Sequence, residues 1–120
     1  MNEQTYISFY VKTSCIRIYK QSVRAIGMPR FIRFRISQDV TSIILEPFDR
    51  ITLTSFRVPP SLDKEEIGME VYSKSMVDAL AQRMGWNKDW SYRVLGTHLI
   101  RQNVVLFDLN KAELIPADDR

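Results

Sequence analysis

Cysteine and histidine are nearly absent from this sequence, which has one of each among its 120 residues. Cys15 therefore has no partner for a disulfide within the chain, and His98 leaves too few soft ligands for a structural zinc site. We expect neither a structural metal nor a bound cofactor.

Long apolar runs are missing as well. No segment approaches the roughly 20 consecutive apolar residues that a membrane-spanning helix needs. The opening segment carries Glu3 and interrupts its apolar positions with Ser8, Lys12 and Ser14, so it lacks the layout of a signal peptide. We therefore expect a cytoplasmic protein that does not associate with a membrane.

Motifs for nucleotide binding are also lacking, since neither a GxGxxG turn nor a phosphate-binding loop occurs. Cys15 begins an alternating segment in which no sequence neighbour would lower the pKa of a nucleophilic thiol. His98 lies in a strand-like segment, where histidines commonly serve in packing. The carboxylate pairs available for acid–base or Mg²⁺ chemistry are Asp108 with Glu113 and Glu65 with Glu66. These acids have no convergent partners, so we expect no enzyme and no small-molecule substrate.

The composition is that of one globular domain, with 45% hydrophobic and 26% charged residues. We predict a single domain over residues 1–120. The Pro-rich and charged composition of residues 59–68 predicts a mobile loop, and residues 116–120 are expected to form a loose tail.

Positive charge is concentrated in the first part of the chain. From Lys12 to Arg35 there are seven Lys or Arg residues and no Asp or Glu. Residues 1–58 hold nine basic against four acidic residues, and residues 59–120 hold eight against ten, giving charges of about +5 and −2. Such asymmetry can attract a polyanion to one side of a protein, although solvated sheet faces would give the same count.

Alternating apolar residues predict most of the strands. Residues 5–11 place Ile7, Phe9 and Val11 on one face, as in a half-buried strand. Residues 30–37 and 41–48 predict a hairpin, and residues 51–58 add a third strand to form a meander. The remaining predicted strands are residues 15–20, 69–73, 91–100, 103–109 and 112–115.

Two segments have the spacing of helices. Val23 and Ile26 fit about two turns that end at Gly27. The second helix has one apolar face and is expected to begin with a capping box at Ser75 and to end at Gly85. Its apolar face consists of Met76, Val77, Leu80, Ala81 and Met84.

The order of these elements predicts an α+β fold, in which two helices pack on one face of an antiparallel sheet. Over residues 15–109 this order reads β-α-β-β-β-β-α-β-β, which resembles one repeat of the sliding DNA clamps, the processivity factors of DNA polymerases. The segments that carry the resemblance are CIRIYKQSVRAIG at residues 15–27, MEVYSKSMVDALAQRMG at residues 69–85 and SYRVLGTHLIRQNVVLFDL at residues 91–109. Clamps carry two or three repeats per chain, whereas this chain has room for one, so a ring would need several copies.

The resemblance implies a non-enzymatic accessory protein that binds DNA without reading its sequence. Both helices would face the DNA and the sheet would form the outer wall. Lys20 and Arg24, four positions apart, would then contact phosphates, with Lys74 and Arg83 on the second helix as further candidates. The simpler explanation is that these side chains form the solvated face of an amphipathic helix.

The arginines of the predicted strands favour a different hypothesis, in which the sheet binds single-stranded nucleic acid. Arg17, Arg33 and Arg35 would share the outward face with Tyr19 and Phe31 if their strands lie in one sheet. Sheet surfaces that combine basic and aromatic residues bind single strands by charge and stacking. Cross-strand pairs to Glu46 or Glu70 would explain the same arginines without any ligand.

Two further possibilities stay open. Residues 25–48 resemble the swapped-hairpin antitoxin and transition-state-regulator families, which are small dimeric DNA-binding regulators, but the helix those families place between their strands is missing. The chain could also be a protein–protein interaction module. An edge strand, such as residues 5–11, would then pair with its copy to form a homo-oligomer.

Overall fold

Nine strands and two helices make up the fold that the computed structural model describes for residues 4–115. The strands are β1 Tyr6–Tyr10, β2 Cys15–Tyr19, β3 Phe31–Ile36, β4 Ser42–Phe48, β5 Ser55–Arg57, β6 Gly68–Tyr72, β7 Ser91–Leu99, β8 Val104–Asp108 and β9 Glu113–Ile115. The helices are α1 Lys20–Ala25 and α2 Lys74–Met84. Neither helix is long and apolar enough to cross a membrane.

All strand pairs in the sheet are antiparallel, in the order β5, β3, β4, β8, β7, β1, β2, β6, with β9 also paired to β7. The sheet curls so strongly that its two end strands, β5 and β6, line the same cleft. It is therefore a nearly closed sheet with one gap.

The core lies on the concave side of this sheet. Ile7 and Phe9 of β1 are fully buried opposite Ile18 and Ile16 of β2. Both helices add buried side chains to the same cluster, among them Val23 of α1 and Leu80 of α2. Burying each such side chain contributes about 1.5–3 kcal/mol. This arrangement confirms the predicted α+β class with both helices on one face.

The second helix begins at a different serine from the one predicted. Ser73 is the N-cap, and its hydroxyl accepts a hydrogen bond of 3.3 Å from the backbone N–H of Met76. Ser75 lies inside the first turn, so the predicted capping box at Ser75 is wrong. The predicted end at Gly85 is confirmed, because this residue has a φ of 69°, which glycine adopts without steric cost.

Two predictions about strand pairing are wrong. Residues 5–11 do not form an edge, because β1 is paired on one side with β2 and on the other with β7. The segment 51–58 contributes only the three residues of β5, and β5 pairs with β3 instead of extending a meander beside β4. The hairpin of β3 and β4 is confirmed.

The predicted loop at residues 59–68 is anchored at several points. Its 3₁₀ turn at Leu62–Lys64 buries Leu62 completely in the core. The backbone N–H of Lys20 donates to the carbonyl oxygen of Ile67 at 2.9 Å. Whether this loop moves in solution stays a prediction, and the predicted tail at residues 116–120 lies outside the described residues.

Candidate nucleic-acid interface

The two cations predicted for the first helix both reach the loop at residues 59–68. Lys20 Nζ donates to the carbonyl oxygen of Glu65 at 2.8 Å. The guanidinium of Arg24 forms an ion pair of 2.9 Å with Asp63. The two side chains thus share one face of α1, as predicted, and they hold the loop against the helix.

The cations predicted for the second helix also have internal acceptors. Lys74 forms an ion pair of 2.7 Å with Asp78, one turn further along α2. Arg83 Nε donates to the carbonyl oxygen of Asp39 at 3.0 Å, which links the end of α2 to the turn between β3 and β4. On the helix side, these cations therefore already have acceptors within the chain.

Arg17 belongs to a polar row that crosses five strands on the outer face. Cross-strand register aligns Glu113 of β9, Arg93 of β7, Ser8 of β1, Arg17 of β2 and Glu70 of β6. We call this set the balanced row, because it holds two arginines and two glutamates. The sequence-based hypothesis did not include Arg93. The available signal was its spacing of two from Ser91 and Leu95, which puts the three residues on the same face of a strand.

Aromatic rings support the arginines of the balanced row. The guanidinium carbon of Arg17 lies 5.2 Å from the centre of the Tyr10 ring, and that of Arg93 lies 4.6 Å from the Tyr6 ring. Arg17 also pairs with Glu70 at 2.7 Å. Burial alone would lower the pKa of Arg17, but the hydrogen bond to Glu70 and the nearby charges outweigh it and raise the pKa. The side chains cover Ser8 completely, although it lies on the outer face.

Arg33 and Arg35 lie in the other half of the sheet and share one carboxylate. Arg33 Nε donates to Glu46 at 2.7 Å, and Arg35 Nε lies 3.5 Å from the second oxygen of Glu46. The Arg33 guanidinium also lies over the Phe48 ring at 4.2 Å. The predicted cross-strand pairs to Glu46 and to Glu70 are thus both present.

Further arginines gather around the same part of the sheet. Arg30 lies over the Phe31 ring at 5.7 Å, Arg50 lies over the Phe48 ring at 5.7 Å, and Arg57 is opposite Phe31 in the pairing of β5 with β3. We call this set the Arg–Phe surface. Its members are Arg30, Arg33, Arg35, Arg50, Arg57, Phe31, Phe48, Glu46 and Asp49.

Three of these arginines, and Phe48, were missed in the sequence. The predicted hairpin of residues 30–37 with residues 41–48 already implied that Phe48 lies near Phe31. In the observed register the two residues are directly opposite each other. Arg57 could not have been found, because its position depends on the unexpected pairing of β5 with β3. Arg50 donates to Asp49 at 2.8 Å, and this hydrogen bond lowers the pKa of Asp49 and raises that of Arg50.

The residues considered for catalysis lie in separate places. Cys15 is buried beside Tyr72, and burial, with a further contribution from Glu70, raises the pKa of its thiol. His98 borders a different cavity, of about 450 Å³, with Thr5, Gln21 and Arg24. Within residues 4–115, no three His, Cys, Asp or Glu side chains are grouped as a metal site would require.

Comparisons with protein-family models, with curated proteins and with solved structures gave no match for this chain.

Proposed function

We propose that this chain binds single-stranded nucleic acid through the Arg–Phe surface, without sequence readout and without catalysis. The observation that carries the proposal is the grouping of five arginines around two half-buried phenylalanine rings. Two carboxylates belong to the same surface, so it retains an excess of about three positive charges. A phosphate backbone is attracted by such an excess, and its bases need flat partners.

The two rings provide a platform for stacking. Phe31 and Phe48 face each other on adjacent antiparallel strands, where opposite side chains are about 5 Å apart. Both rings are half-buried, which leaves part of each accessible from the outer face. Stacking a base on an aromatic side chain contributes about 1–3 kcal/mol and tolerates any base.

The arginines differ in how strongly they are held. Glu46 and the Phe48 ring fix Arg33, so this guanidinium presents a constant plane. The Arg35 side chain is 60% exposed. Among residues 4–115, neither Arg30 nor Arg57 has an ion pair. Arg30 and Arg57 can therefore bind phosphates without first losing a salt bridge inside the protein.

The direct test is fluorescence anisotropy of a labelled oligo-dT of about 20 nucleotides, compared with a duplex of the same length. We expect the native chain to bind the single strand more tightly. Charge reversal of Arg33 and Arg35 to Glu should weaken this binding about 100-fold, because two phosphate contacts become repulsive.

The matched control is the same reversal at Lys20 and Arg24 on the helix side. This variant changes the net charge equally but leaves the Arg–Phe surface intact, so single-strand binding should change only about twofold. Equal losses in the two variants would show that only overall charge matters, and no loss in either would refute nucleic-acid binding. Circular dichroism of each variant checks that the fold is retained.

Salt dependence provides a second readout. The logarithm of the single-strand binding constant falls with the logarithm of the salt concentration, with a slope of about −0.7 per phosphate neutralised. Removing two contacts should therefore make this slope shallower by about 1.4. Replacing Arg33 and Arg35 by Gln instead of Glu tests this without introducing repulsion. An unchanged slope would mean that these arginines do not contact phosphate.

A clamp-like DNA-associated accessory protein is the second candidate function. The observation that favours it is the order of elements, with both helices on the same face of an antiparallel sheet. In this case duplex DNA would contact Lys20, Arg24, Lys74 and Arg83, and several copies would be needed to surround it. These cations would first have to leave the acceptors described above.

Light scattering distinguishes the two candidates. The solution mass is measured at low and moderate salt, with and without duplex DNA. A closed oligomer, or one that assembles on the duplex and is lost in the variant with Lys20 and Arg24 reversed to Glu, would favour the clamp-like function. A monomer that binds oligo-dT but ignores the duplex would favour the Arg–Phe surface.

A further inference from the structure

The two end strands of the sheet border a cleft of about 790 Å³. Arg57 of β5 lies on one side, Gly68, Glu70 and Tyr72 of β6 lie on the other, and residues 65–67 of the connecting loop close one end. This volume is within the range of about 300–1,000 Å³ that is usual for binding sites. The cleft lies beside the Arg–Phe surface, with which it shares only Arg57.

The backbone of β6 has unused hydrogen-bonding groups that point toward this cleft. Lys20 N–H donates to the Ile67 carbonyl, and Ser73 N–H donates to the Ser14 carbonyl. In an antiparallel pair, the backbone N–H and C=O groups of every second residue hydrogen-bond to the neighbouring strand. Ile67 and Ser73 bond on the β2 side, so the groups of Met69 and Val71, which lie between them at this spacing, also point toward β2. The N–H and C=O groups of Gly68, Glu70 and Tyr72 therefore point away from β2, toward the open edge.

The edge of β5 is open in the same sense. Val58 N–H donates to the Arg30 carbonyl. Because every second residue bonds to the neighbouring strand, the backbone N–H and C=O groups of Phe56 also point toward β3. The N–H and C=O groups of Arg57 then face the cleft. Since neighbouring strands alternate in direction along the eight-strand path, β5 and β6 run in opposite directions. A strand placed between them is antiparallel to one and parallel to the other.

The side chains of the cleft select an alternating ligand. Phe56, Met69 and Val71 contribute apolar surface on the core side, and Ile67, which is 42% exposed, adds apolar surface from the loop. Glu65, Glu66 and Glu70 contribute carboxylates, and Arg17 and Arg57 contribute guanidinium groups, of which Arg17 pairs with Glu70. The lining therefore keeps an excess of about one negative charge. In the part of the chain that the structure describes, neither Glu65 nor Glu66 forms an ion pair.

We propose that this cleft binds an extended segment of a partner protein as an added strand, antiparallel to β6. This orientation is favoured because β6 is the longer edge, with five residues against three in β5. The partner segment alternates apolar and basic residues. Its apolar side chains lie opposite Met69 and Val71, and its Lys or Arg side chains lie on the side of the glutamates. Backbone hydrogen bonds provide affinity and the alternating side chains provide specificity, as in other cases of strand addition.

The probe is a labelled, end-capped peptide of about five residues that alternates Val and Lys, long enough to span β6. We expect it to bind the full chain and to shift the amide resonances of Gly68, Glu70 and Tyr72. N-methylation at the three lysines, which lie opposite Gly68, Glu70 and Tyr72, removes the donors that would face β6, and we expect this to weaken binding at least about tenfold. A Val and Glu peptide of the same length should bind more weakly still.

Variants of the loop test the charge. Reversing Glu65 and Glu66 to Lys should weaken Val and Lys peptide binding about tenfold. Lys64→Glu is the matched control, since Lys64 is exposed in the same loop but does not line the cleft. Its binding should equal or exceed that of the native chain.

Several outcomes would overturn the proposal. Equal binding of the N-methylated peptide would show that no strand is added, and amide shifts confined to other strands would place the peptide elsewhere. Light scattering without peptide provides a third check. Concentration-dependent dimerisation that protects the Gly68, Glu70 and Tyr72 amides would show that a second copy occupies the edge. None of these measurements uses nucleic acid, so failure here leaves the proposed function untouched.

Discussion

The two halves of the outer sheet face contain similar residues but differ in charge. In the balanced row, register places one glutamate beside each arginine, with Glu70 opposite Arg17 and Glu113 opposite Arg93. In the Arg–Phe surface, Arg33 and Arg35 share Glu46, and Arg57 is opposite a phenylalanine. An arginine on a sheet therefore stabilises the fold or remains available to a ligand according to what the neighbouring strand places beside it.

Exposure of the aromatic rings overlaps between the two halves. Tyr10 is 7% exposed in the first half, and burial raises its pKa although the charge of Arg17 opposes this. Phe31 and Phe48 keep accessible surface in the second half. The first half also has accessible rings, since Tyr72 is 66% exposed and Tyr6 and Tyr19 are half-buried. The two halves therefore differ in charge and not in ring exposure.

Among the variants that test this comparison of the two halves, the largest expected effect comes from removing the stacking platform. Replacing Phe31 and Phe48 by Ala removes two rings, each of which contributes about 1–3 kcal/mol per stacked base. We expect oligo-dT affinity to fall at least about 30-fold in anisotropy titrations. Tyr6→Ala in the balanced half is the control, and a similar loss there would erase the functional distinction between the halves.

Making the second half resemble the first should have a smaller effect. Ile44 is directly opposite Arg35 in the pairing of β3 with β4. Ile44→Glu supplies a third carboxylate to the surface without removing any arginine, and we expect oligo-dT affinity to fall about tenfold. Ile44→Gln has nearly the same shape without the charge and should retain most of the binding, so equal losses in both would indicate a packing defect instead.

Breaking the balanced row should affect stability and not binding. Arg17→Gln removes a partly exposed ion pair to Glu70 and a contact with the buried Tyr10 ring. We expect the free energy of unfolding in urea to fall by about 1 kcal/mol. Oligo-dT affinity should stay within about twofold of the native value. A loss of binding without a loss of stability would contradict the division into halves.

The smallest effect concerns pH and the buried groups of the first half. Burial raises the pKa values of Cys15 and Tyr10, so the folded state favours their neutral forms. Their contribution is fully present below the unfolded pKa, which is 9.0 for the thiol and 10.0 for the phenol, and is lost as pH rises through the folded values. The part of the stability that comes from these two groups should therefore be constant below about pH 8 and decline above about pH 9.

Cys15→Ala isolates the thiol in this experiment. Urea unfolding of the variant should show a shallower decline with pH, with the contribution of Tyr10 remaining. An identical decline in both proteins would show that ionisation of the thiol is not coupled to folding.

The sequence predicted the local elements better than their assembly. The alternation of apolar and polar residues located β3 and β4. Their pairing as a hairpin was predictable because only a short turn separates them. The pairing of β1 with β7 and of β5 with β3 depends on burial contributed by distant segments, which periodicity does not report. The residues 5–11 were therefore assigned to an edge although β1 lies inside the sheet.

The same limit applies to the candidate site. The acid-free segment identified arginines, but the acids that neutralise them come from elsewhere in the chain, such as Asp63 for Arg24 and Glu70 for Arg17. Arg57 joined the site only through pairing of strands that are not neighbours in a simple meander. A local charge count therefore identified basic residues without showing which ones are free to bind.

The central position of β1 has a consequence for how the chain folds. Thr5 and Gly96 hydrogen-bond to each other although 91 positions separate them. One side of β1 therefore stays unpaired until β7 has been synthesised. Contacts of such high sequence separation are associated with slow folding. During translation, the exposed flank of β1 is thus a place where a nascent chain can associate wrongly or be held by a chaperone.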